Sequence, residues 1–120
     1  MEIDKKELDT AKQMADQNEN TYEYIHKLDK KFEYEGQTYE SMHFDWGKLT
    51  GKDGLAIENE MQSMGTPVVI PSLSGEYLIR MASRASVEGI ATNVLAALPI
   101  RDYNKIRSAA RSFLLKTELY

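Results

Sequence analysis

Cysteine is absent from the 120 residues, and histidine, tryptophan and proline are scarce, with two, one and three copies. Without thiols the chain has no disulfide, no thiolate nucleophile and no cysteine zinc site, and a reducing cytosol suits it. The two histidines, His26 and His43, have no ligand-like spacing to each other or to a carboxylate cluster, so they read as structural or solvent-facing residues. No apolar run nears the length that spans a bilayer, and Met1-Glu2-Ile3-Asp4-Lys5-Lys6 lacks the apolar centre of a signal peptide. A basic surplus is also missing. The net charge of -4 and a pI near 5.2 argue against general nucleic-acid affinity. The expectation is an intracellular protein with no membrane segment and no cofactor.

Catalytic groupings are lacking too. Ser41, His43 and Asp45 carry the side-chain types of a hydrolytic triad, but they alternate along one strand. Residues two apart on a strand lie roughly 6.5 Å from each other, whereas a nucleophile must come within about 3 Å of its base. Gly51, Asp53 and Gly54 lack the Gly-Lys-Ser/Thr ending of a phosphate loop. With no acid, base, nucleophile or metal set converging, a non-enzymatic role is expected.

The chain does have amphipathic segments. The strongest runs from Leu98 to Leu115, where Tyr103, Ile106, Ala110, Phe113 and Leu114 share one side of a helix. Arg101, Lys105 and Lys116 lie opposite, and Arg107 and Arg111 flank the stripe with stems able to cover its edge. Pro99 suits the entry to this helix, and Asp102 sets a carboxylate among its first amides.

Before it, residues 1–21 are polar and charged, with only Leu8, Ala11 and Ala15 hinting at helix, and read as a flexible arm. From Tyr22 the composition turns aromatic and β-branched. Phe32 to Tyr39 reads as a hairpin turning at Gly36, and Met42, Phe44 and Trp46 form the apolar face of its return strand. A helix capped by Thr50 and Asp53 is expected to stop at Gly65, with Ile57, Met61 and Met64 on its apolar stripe. Those methionines suit either a core or an adaptable partner groove. Val68 to Ile70, fenced by Pro67 and Pro71, is a short extended piece that suits a sheet edge or a linker between sheet and helices. Ser72 or Ser74 caps a further helix with Tyr77, Leu78, Met81 and Ala85 on its buried side, a Glu76–Arg80 pair outside, and Gly89 as its stop. Ala91, Val94, Leu95 and Leu98 share one face of a short helix that Pro99 ends. The segment from Lys116 to Tyr120 is expected to fray.

Charge is divided unevenly along the chain. Residues 1–60 hold 8 Lys/Arg against 15 Asp/Glu, and residues 61–120 hold 7 against 4. Two readings stay open: the halves pack on each other, or copies attract one another head to tail.

The order Phe32-Glu33-Tyr34-Glu35-Gly36-Gln37-Thr38-Tyr39, Phe44-Asp45-Trp46-Gly47-Lys48-Leu49-Thr50-Gly51-Lys52-Asp53, Leu73-Ser74-Gly75-Glu76-Tyr77-Leu78 and Leu98-Pro99-Ile100-Arg101-Asp102-Tyr103 resembles the small phage tail assembly chaperones. The resemblance runs from about residue 30 to 115. It implies a protein of the bacterial host cytoplasm that binds the long, mostly helical and apolar tape measure protein and keeps it soluble until the tail tube polymerises around it. The tail tube protein and self-association are further candidate contacts. The family supplies no catalytic residues. A small virion connector or a nucleic-acid-binding regulator is the competing reading.

The expected architecture is α+β, with an arm over residues 1–21 and a single domain over residues 22–120: an N-terminal β-hairpin packed on about four C-terminal helices. Met61, Met64, Phe113, Leu114, Leu115 and Leu119 are the candidate partner-binding residues, with ordinary core or tail packing as the alternative for all six.

Overall fold

The computed structural model describes residues 22–119, so the arm expected over residues 1–21 lies outside the described residues, as does Tyr120. The described residues open with an antiparallel pair, β1 (Glu23–Tyr34) and β2 (Gln37–Asp45). They are joined through Glu35 and Gly36, at φ 49° and 80°. Two successive positive φ values make the turn whose twist matches that of the flanking strands, and glycine takes the second position without strain. Between the pairs Lys27↔Ser41 and Phe32↔Tyr39, β1 sets residues 28–31 against the single residue Glu40 of β2. This wide bulge gathers Phe32, Tyr34 and Tyr39 at the hairpin tip, with ring centroids 6.0 and 6.2 Å from Phe32.

The alternation of the return strand is as expected. Met42 and Phe44 are fully buried, and the chain then tightens into a 3-10 turn, Trp46–Lys48, that keeps Trp46 on the same apolar side. Trp46 stacks on Phe44 at 5.5 Å and 7°.

Four α-helices follow among the described residues. Helix α1 (Gly51–Ser63) begins where the Asp53 carboxylate accepts the Thr50 N–H at 2.8 Å, and ends as Gly65 takes φ 79°. Helix α2 (Gly75–Ala85) is capped by Ser74, whose Oγ accepts the Tyr77 N–H at 3.1 Å, and buries Tyr77, Leu78, Met81 and Ala85. Helix α3 (Thr92–Ala96) is one short turn and a half, and α4 (Ile100–Leu119) is the long closing helix. Together these elements make an α+β fold in which α2 and α4 cover the apolar face of the hairpin and α1 packs outside α2.

Three expectations need correction. The edge reading of Val68–Ile70 gives way to the linker reading: the sheet has two strands among the described residues, and Val69 is 88% exposed in an irregular connection. The outer edge of β2 is instead met by the residues after α2. Ser86 bridges to Phe44, the Val87 N–H donates to the His43 carbonyl at 2.9 Å, and the Glu88 carboxylate accepts the His43 N–H at 3.0 Å. That pairing ends α2 at Ala85 rather than at Gly89, because Ser86 and Val87 must be extended to reach the strand. The closing helix continues through Leu119 where fraying from Lys116 was expected, and Thr117 Oγ1 donates to the Leu114 carbonyl at 2.7 Å.

Two arginines of α2 fasten α1. Arg80 contacts Glu76 and Glu60, both at 3.1 Å, and Arg84 contacts Glu60 at 3.0 Å and Asp53 at 3.1 Å. Glu60 is held below its ordinary pKa chiefly by the Arg84 hydrogen bond, and Asp53 chiefly by the Thr50 N–H and then by Arg84.

Two outcomes follow from this packing. Phe44→Ala is expected to lower unfolding stability by about 3–5 kcal/mol, since it empties a closed part of the core; urea melts measure it. Because Asp53 and Glu60 have lower pKa values folded than unfolded, the unfolded chain takes up protons first on acidification. Their stabilisation is therefore present above the ordinary carboxylate range, near pH 4, and is lost as pH falls through the lower folded values. Urea midpoints recorded at pH 7, 4 and 3 should fall less steeply in Arg84→Met than in the parent chain.

Candidate protein-binding groove

Helix α4 is positioned along β1 by a buried polar chain. Asp102, in the first turn of α4, accepts from or pairs with His26 Nε2 at 2.8 Å, and His26 Nδ1 lies 2.8 Å from the Tyr24 hydroxyl. His26 and Asp102 are only 2% and 3% exposed, so each satisfies a polar group that would otherwise be stranded. Arg101 approaches Asp29 at 3.6 Å beside them. At the other end of the helix, Phe113 stacks on Trp46 at 6.0 Å and meets Tyr22 edge-on at 5.4 Å. The helix is thus pinned twice, once by hydrogen bonds and once by rings.

Between these pins α4 and the start of β1 part to leave a groove of about 490 Å³. One wall is Tyr22, Glu23 and Tyr24 with Trp46 behind them; the other is the outward face of α4 from Asn104 to Lys116. Ala109 and Phe113 give that helical wall an apolar centre, Asn104, Ser108 and Ser112 give it low relief, and Lys105 and Lys116 stand at its ends.

Tyr24 is the point where the buried polar chain reaches the groove. Burial pushes its phenol pKa up, and the negative charge of Asp102 pushes it further. The hydroxyl therefore stays protonated at neutral pH and shares its hydrogen bond with His26 Nδ1; it is not an activated nucleophile. No group of three His, Cys, Asp or Glu among the described residues is placed to hold a metal ion, and no described helix is long and apolar enough to cross a membrane.

The six expected partner-binding residues are scattered. Met61 is 3% exposed and belongs to the core, where it packs as α1 closes on α2, so the groove built from Met61 and the end of α4 does not exist as a surface. Met64 is exposed at the end of α1, with its sulfur 2.9 Å from an Arg80 nitrogen. Leu114 is half-buried against the core and Leu115 is exposed. Leu119 ends α4, and its side chain lies outside the described ones. Phe113 alone of the six lines the groove among the described residues.

The sequence reading missed Tyr22 and Tyr24, and it named His26 and Asp102 without joining them. A signal was present: His26 alternates with Tyr24 and Leu28 along β1, and Asp102 stands four residues before Ile106 on the buried side of α4, so burial obliges the two to find each other. Comparisons with family models, curated proteins and solved structures gave no match.

His26→Ala would leave the Asp102 carboxylate buried without its partner, at a cost of about 3–5 kcal/mol. Asp102→Ala strands only an imidazole nitrogen and should cost about 1–3 kcal/mol. Denaturant melts of the two variants are expected to preserve that order.

Proposed function

We propose that the chain is a non-enzymatic phage tail assembly chaperone that binds the tape measure protein in the bacterial cytoplasm and keeps it soluble until the tail tube forms. The observation that carries this reading is the groove between β1 and α4, which has an apolar centre of Trp46, Ala109 and Phe113 and cationic ends. A concave strip of this kind shelters an apolar stretch of another chain while leaving the rest of that chain in water. The order of sequence motifs that resembles the tail chaperones supports the same reading.

The polar face of α4 fits this role as well. Ser108 and Ser112 are exposed and small, so another backbone can come close to the helix there. The Met61 surface considered from sequence has no part in the proposal, since that side chain is buried.

Co-expression of the chain with a tape measure protein from the same genome tests the reading. Soluble tape measure protein should rise with the parent chain. It should fall back to the level without chaperone when Ser108→Glu and Ser112→Glu together set two carboxylates in the groove, with the melting temperature of the variant nearly unchanged. No gain in soluble tape measure protein from the parent chain would overturn the proposal.

A further inference from the structure

The groove borders a strand edge as well as a helix, and the direction of the main-chain groups along that edge follows from the pairing. The Trp46 N–H donates to the Tyr22 carbonyl at 2.7 Å, and Tyr24 and His26 stand opposite Phe44 and Met42. In an antiparallel pair the main-chain groups of alternate residues point to the partner strand and those between them point away. The even-numbered residues of β1 therefore face β2. The other strand follows the same parity: His43, an odd-numbered residue of β2, turns its N–H and carbonyl outward to Glu88 and Val87. On β1, Glu23 and Ile25 consequently aim their N–H and C=O groups at the open edge, and no strand among the described residues pairs with that edge.

Resting on the proposed function, we infer that the groove takes an extended segment of the tape measure protein, added to β1 as a third strand, with an apolar side chain at its centre and a carboxylate two residues to either side. The strand edge supplies the main-chain donors and acceptors, which a helix cannot use because its own are already paired. The helical wall supplies the side-chain selection. Lys105 and Lys116 are eleven residues apart on α4, about 16 Å along its axis, and side chains four residues apart on a strand are about 13 Å apart. Allowing for the reach of lysine, one carboxylate meets each ammonium while the central apolar side chain rests on Ala109 and Phe113. Glu23 does not oppose such a segment, because its carboxylate turns toward His43, 3.6 Å away. The inward side chains of the added strand fall beside Tyr22 and Tyr24, and the outward ones beside Ile25, which is 64% exposed.

Amide hydrogen exchange on the full chain, alone and in the complex recovered by co-expression with the tape measure protein, tests the inference. The Glu23 and Ile25 amides are expected to exchange freely in the chain alone and to slow by about tenfold or more in the complex. Lys105→Glu with Lys116→Glu, two changes on the solvent side of α4, should abolish the complex and leave the melting temperature in place. A complex that forms without slowing these two amides overturns the added strand and leaves the chaperone reading standing. Slow exchange already in the chain alone overturns it too, since the edge would then be held by residues preceding Tyr22. Absence of any complex with the parent chain overturns the chaperone reading and the inference with it.

Discussion

The hydrogen bond between His26 and Asp102 joins the first strand to the last helix, and most of the molecule depends on that closure. A two-stranded sheet cannot bury its apolar face alone. Among the described residues the face is closed by α2 and by α4, and α4 runs along β1. Both partners of the bond are nearly sealed from water, so the bond is obligatory: neither group has water to fall back on if the helix shifts. The same bond sets the distance at which α4 stands from the start of β1, and hence the width of the groove.

Charge plays a second, separate part. The acidic first half and basic second half of the sequence meet within one molecule, at least along α1 and α2, where Asp53 and Glu60 lie against Arg80 and Arg84. These contacts are partly exposed and add modestly to stability. Their larger consequence is arrangement: they pair both arginines of α2 with carboxylates, while Lys105 and Lys116 of α4 line the groove. Attraction between copies is not needed to account for the asymmetry of the sequence.

Much of the fold was legible because it is written in local terms. The alternation of Met42, Phe44 and Trp46, the turn at Gly36, the caps at Thr50 and Ser74 and the break at Pro99 each act within a few residues, and each holds in the structure. What was not legible depends on distant partners. Val68 to Ile70 has strand composition, but the edge it might have joined is met by Ser86 to Glu88, an arrangement no periodicity announces. Met61 could be either core or surface until the position of α2 was known. The groove was half visible, in Phe113 and in the opposite-face lysines of the closing helix. Its other wall, Tyr22 to Tyr24, is the beginning of a strand whose register only the folded hairpin defines.

The separation of His26 and Asp102 along the chain, 76 residues, also orders events in time. A hairpin closes locally, on the order of microseconds, and during synthesis the earlier parts of a chain fold before the later ones exist. The hairpin is marginal by itself, so the strand wall of the groove is fixed only when the helices cover it. Until α4 has left the ribosome and docked, Trp46 and the polar groups of Tyr24 and His26 lack their cover, and there is nothing concave to bind. The groove comes into being only when α4 docks on β1, so its shape depends on a contact between residues far apart in the sequence.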